Sequence, residues 1–117
     1  NVLFTKRPFS STTARPMPIK KYAFLMKPDG YPVRGTQTTL PGDGFTTHIF
    51  AVSNIAALIV AVQNFAQNGI EVIETCGGFS DTDFDAIKNA LDGRVALGRV
   101  TFDAANQALL TRFMTSS

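Results

Sequence analysis

The chain has 117 residues, 44% hydrophobic and 17% charged, with a net charge of +2; that is enough for one core and too apolar for a disordered chain. One cysteine and one histidine exclude an internal disulfide and a multi-histidine metal site. The longest apolar run, residues 55–62, is far short of the roughly 20 residues of a membrane span.

Charge divides the chain. Residues 1–19 carry Lys6, Arg7 and Arg15 and no acid, whereas residues 20–117 carry eight basic and nine acidic groups. A nearly neutral body repels its own copies weakly, which permits association. Its basic residues are scattered, so neither nucleic acid nor membrane is an expected partner.

Residues 1–19 read as an irregular arm, because Pro8, Pro16 and Pro18 oppose a helix or a central strand. Val2, Leu3, Phe4, Phe9 and Met17 are its apolar anchors, expected to dock on a groove of the same or a neighbouring subunit. The basic, Ser/Thr-rich composition also resembles an organelle transit peptide, which would place the protein in the mitochondrial matrix. A chain opening on Asn1 rather than Met is expected to have lost residues upstream.

Residues 20–117 are expected to form one α/β domain. Residues 20–27 predict a first strand, with Tyr22, Phe24 and Met26 on one face and Ala23 and Leu25 on the other. Apolar faces on both sides suggest a central position. This strand either pairs antiparallel with the second or sits between later ones. Pro28-Asp29-Gly30 is turn chemistry. Residues 31–44 read as a long loop, and loops of that length are often packed on a partner. Tyr31, at its head, is therefore an assembly candidate.

Residues 45–52 predict a second strand. Ser53 or Asn54 then caps a helix whose Ile55, Leu58, Ile59, Val62 and Phe65 form one stripe. Asn68-Gly69 ends it, and residues 70–76 are the third strand. After Gly77-Gly78, Ser80 and Asp83 mark a second helix, with Phe79 and Phe84 as its hydrophobic staple. Asp92-Gly93 stops that helix. Residues 95–102 predict the fourth strand, and Asp103 caps a last helix carrying Ala105, Leu109, Leu110 and Phe113. The order is β-β-α-β-α-β-α. It implies about four mainly parallel strands covered by three helices.

The richest chemistry lies between Glu74 and Ser80. A strand end meeting a helix N-terminus is where ligands bind in open α/β sheets. Gly77, Gly78 and Ser80, helped by Arg99, could there receive an anion, and Cys76 would be a reactive thiol. The alternative is a tight turn around a small buried cysteine. The phosphate-loop lysine and the third glycine of a dinucleotide fingerprint are missing, so no cofactor is implied. His48 could act as a base or a pH sensor, and beside Cys76 and Glu74 it would complete a nucleophilic site. A hydrogen-bonded structural role is its other reading. Arg99 is expected to pair with Glu74. Asp81, Asp83 and Asp85 begin a calcium-loop pattern that then fails, so helix capping suffices and no metal is expected.

The segments KKYAFLMKPDG, THIFAV, VIETCGGF and VALGRVTF, within residues 20–102, resemble a small bacterial family of uncharacterised proteins. Their most specific piece is Glu-x-Cys-Gly-x-Phe at 74–79. With a basic arm added, the chain resembles the octin family of octahedral crystal-matrix proteins of mucoromycete fungi. That resemblance implies a structural role: self-assembly into a sedimenting vacuolar crystal used in gravity sensing. It also makes Cys76 either a buried thiol or a bridge between chains. Vacuolar acidity would protonate His48, a possible assembly switch. Two function classes therefore stand. One is a self-associating structural protein whose partner is itself. The other is a small enzyme or ligand-binding protein, in the cytoplasm or an organelle, with an anion-type pocket at Cys76-Gly77-Gly78.

Overall fold

The computed structural model describes residues 19–27 and 29–116. The elements run β1 (Lys21–Met26), β2 (Thr36–Pro41), β3 (Thr46–Ala51), α1 (Ile55–Gln67), β4 (Val72–Thr75), α2 (Asp81–Leu91), β5 (Ala96–Arg99) and α3 (Ala104–Thr115). They build one sheet of five strands in the order β2-β3-β1-β4-β5. β1 is parallel to both β3 and β4, and β4 is parallel to β5. Only β2 runs antiparallel, beside β3. The first strand thus lies at the centre between later strands, as its two apolar faces require.

Residues 31–44 are not a loop throughout: β2 forms within them and raises the strand number to five. Its six residues are all exposed, so no alternation of buried and exposed positions marks it. Its threonines favour extended backbone, and the ladder with β3 from Thr36–Ala51 to Pro41–Thr46 holds it. Pro41, at the end of an edge strand, is tolerated. Gly35 (φ +88°) turns the chain into β2, and a Cβ there would run into the ring of Phe50.

The fourth predicted strand is shorter than its apolar run. β5 stops at Arg99 because its neighbour β4 stops at Thr75, with a last backbone bond from Val100 N–H to Thr75 O at 2.9 Å. The helix starts follow their caps. The side chains of Asn54, Ser80 and Asp103 accept from the backbone N–H of Ala57, Asp83 and Asn106. Gly69 (φ +86°) leads the chain out of α1.

Strand alternation sends Ala23, Leu25, Phe50, Val52, Ile73 and Leu97 to one face. There they form a single cluster with Leu58 and Val62 of α1 and Ile87 and Leu91 of α2. α1 and α2 therefore lie on that same face, as crossovers of one hand between parallel strands require. Among the described residues, no helix covers the other face, and α3 has no buried residue.

The start of β1 is tied down by Glu71, whose Oε1 accepts from the N–H of Lys20 (2.7 Å) and Lys21 (2.9 Å). These two bonds, aided by the lysine charges, hold its carboxyl below the usual range. A depressed folded pKa contributes stability above the ordinary carboxylate value. That contribution is lost as pH falls through the folded one. Glu71→Gln should therefore cost a small amount of stability at pH 7. The cost should fade as the pH is lowered through about 4 and below, measured as the difference in urea midpoints.

Candidate functional site

At the end of β4, Cys76 donates its backbone N–H to Leu25 O at 3.0 Å, and its half-buried, free Sγ accepts from Gly78 N–H at 3.4 Å. Gly77 faces the ring of Phe102, which would lie 3.6 Å from a Cβ there. Phe79 is buried beneath the turn. Ser80 Oγ accepts from Asp83 N–H at 3.1 Å and so serves the helix end itself.

Arg99 reaches this turn but not Glu74. In the parallel pairing, Glu74 faces Gly98 and Thr75 faces Arg99, so the two side chains leave opposite faces of the sheet. The expected Arg99–Glu74 pair is therefore absent. One Arg99 amino group meets Asp81 Oδ1 at 2.9 Å. The other donates to Phe79 O at 2.9 Å. The guanidinium lies over Phe84, 4.7 Å from the ring centre. Lys27 pairs with Asp83 at 3.2 Å. The positive end of the α2 dipole thus already has Asp81 and Asp83 in its first turn. Among the described residues, no group of three or more His, Cys, Asp and Glu is arranged to hold a metal ion.

Glu74 accepts from the Tyr22 hydroxyl at 2.6 Å on the face away from the helices. Burial first, then that hydrogen bond and the Glu74 charge, push the Tyr22 phenol far above its usual range. The phenol therefore stays a donor.

His48 faces Ala23 across the ladder and lies on the helix-covered face. Its Nδ1 is 3.1 Å from Thr39 Oγ1, and its ring centre is 5.7 Å from that of Phe65. With Lys21, Gln37, Asn68 and Ile70 it lines an open groove of about 700 Å³ between β2, β3 and the end of α1. Glu74 is on the opposite face, Cys76 lies past the end of β4 against the helix-covered core, and β1 runs between β4 and His48 on β3. The structure therefore does not bring Cys76, His48 and Glu74 together. The groove escaped sequence reasoning because β2 forms one of its walls. The Thr-rich run at 36–39 was the signal available.

The open face of the sheet is the larger feature. Tyr22, Phe24, Met26, Ile49 and Val72 stand on it half-buried. Leu40 on β2 is 51% exposed, and Val100 and Phe102, just past β5, are 40% and 44% exposed. Glu74 is the one charged residue that the strands place on this face. Of the other assembly candidates, Tyr31 is 39% exposed before β2. Phe4, Phe9 and Met17 lie outside the described residues.

Among the described residues, no helix is long and apolar enough to cross a membrane. The model of a family of unknown function, DUF6506, matches residues 20–115. No curated protein and no solved structure gives a match.

Proposed function

We propose, for a chain that belongs to the DUF6506 family of unknown function, that the protein is a self-associating structural building block. The observation that carries this reading is the one-sided sheet. Four of its five strands are joined by parallel pairing, and parallel sheets are ordinarily covered on both faces. Here helices cover one face, while Tyr22, Phe24, Met26, Ile49 and Val72 line the other half-exposed. A contiguous apolar patch of this kind is a place for protein to meet protein. The nearly neutral body adds little repulsion between copies.

The finer form of the reading rests on the sequence resemblance to the octin family. Closed oligomers pack further into a dense, crystal-like body in a fungal vacuole, where sedimentation serves gravity sensing. The rival, an anion-type pocket at Cys76-Gly77-Gly78, has less support. Arg99 is engaged with Asp81, Phe79 and Phe84, and His48 lies across the sheet.

Light scattering from the full chain tests the proposal. The mass should exceed the 12.6 kDa of one chain, rise with protein concentration and change between pH 5 and 8. A constant mass of one chain at every concentration would overturn it.

A further inference from the structure

We propose that α3 of one copy lies across the open sheet face of a second copy, with Arg112 of the first against Glu74 of the second. This rests on the self-association proposed above and names its contact. Among the described residues, no helix lies on the open face and α3 buries no residue. α3 follows β5 on a link of four residues, 100–103. None of its residues is buried: Leu109 is 44% exposed, Phe113 75% and Met114 63%.

A helix of 12 residues is marginal in water without packing. Leu109, Leu110, Phe113 and Met114 form a broad apolar stripe on one side of the helix, with Asn106 within it. Such a stripe calls for an apolar surface, and the open face offers one of matching size. The helix is about 18 Å long, and five strands at about 4.8 Å span roughly 19 Å.

Charge sets the choice of occupant. α3 carries one charged side chain, Arg112, at the flank of its apolar stripe. The strands place one charged side chain, Glu74, on the open face. Glu74 has its Tyr22 donor at 2.6 Å, and a carboxylate can accept several bonds. An arginine lying along the helix edge can keep its stem on apolar surface and bring its fork to that carboxylate. A second copy supplies both partners at once. Under a two-fold axis the exchange is reciprocal, and each copy gives one helix and receives one.

The test mixes two charge-reversed full-length chains. Glu74→Lys alone and Arg112→Glu alone should each weaken association by about tenfold or more, since like charges then face each other. Mixed in equal amounts, they should recover the wild-type mass, because each chain then meets its opposite charge on the other. Circular dichroism checks that each variant is folded. If Glu74→Lys does not fold, Glu74→Gln removes the charge and keeps an acceptor for Tyr22. It should weaken association, and mixing with Arg112→Glu should restore one of the two Arg112–Glu74 pairs and so recover only part of the wild-type mass.

Three outcomes overturn the inference while leaving self-association standing. Single variants that associate as the wild type does place the contact elsewhere, the arm of residues 1–19 included. Variants that fail to recover on mixing exclude the exchange. A chain carrying both changes that regains the thermal stability lost in the single variants while staying monomeric puts α3 on its own sheet. A wild-type chain that never associates defeats the broader proposal instead.

Discussion

Leu25→Ala should lower the unfolding free energy by about 3–5 kcal/mol, the range for emptying a fully buried leucine site. Leu25 is fully buried on the central strand. It sits opposite Phe50 on one side and Thr75 on the other and belongs to the cluster with Leu58, Val62 and Ile87. Helices above and strands on both sides leave little freedom to collapse into the gap. Against a typical total of about 5–15 kcal/mol, the loss would leave a marginal fold. Urea unfolding followed by circular dichroism reads it. Protein concentration is held fixed, because association adds stability by mass action. Phe24→Ala is the control, one residue away on the open face. At dilutions where the chain is monomeric it should cost far less than Leu25→Ala, although phenylalanine is the larger residue. Equal costs would mean that both faces of the sheet are packed within one chain.

Arg99→Leu should cost about 2 kcal/mol. The main loss is the bond to the carbonyl of Phe79, a residue 4% exposed; an orphaned buried acceptor costs about 1–3 kcal/mol. Stacking over Phe84 adds about 0.5–1 kcal/mol. The Asp81 pair adds little, since that carboxylate is 92% exposed. Arg99→Lys should fall between wild type and leucine, because an ammonium cannot hold both partners in a fixed fork. Inorganic phosphate should stabilise neither protein. A phosphate-dependent rise in the wild-type midpoint, absent in Arg99→Leu, would instead show an anion receptor at this turn.

The legible parts of the fold were those written in local chemistry. Asn54, Ser80 and Asp103 are caps whose side chains bond the first turn, and such bonds need only neighbouring residues. The centrality of β1 followed from apolar residues at both parities. β2 was hidden because its order comes from a partner strand: a fully exposed threonine ladder has no burial pattern to read. The end of β5 was hidden for a related reason. Residues 100–102 have strand-like composition, but β4 provides no backbone to pair with them past Thr75.

For the site, Arg99 reads in the sequence as a charge requiring a partner, and the acid it meets is Asp81 rather than Glu74. Sheet register decides which neighbour lies on the same face, and one residue of offset exchanges Glu74 for Thr75. The open face was written in Tyr22, Phe24 and Met26. What the sequence lacked was the information that both following helices choose the other side.

The place of β1 also fixes an order of events during synthesis. The strand that needs neighbours on both edges is made before either of them. Tyr22 pairs with Val72, fifty residues later in the chain. At about 5–20 residues per second, the ribosome needs roughly 2–10 s to supply that partner. Meanwhile a six-residue segment with apolar side chains on both faces stands ready for any other strand edge. Its nearest hazard is the same segment on a neighbouring nascent chain of the same polysome. A chain made in quantity on crowded polysomes is expected to need a chaperone at this segment before it needs one anywhere else.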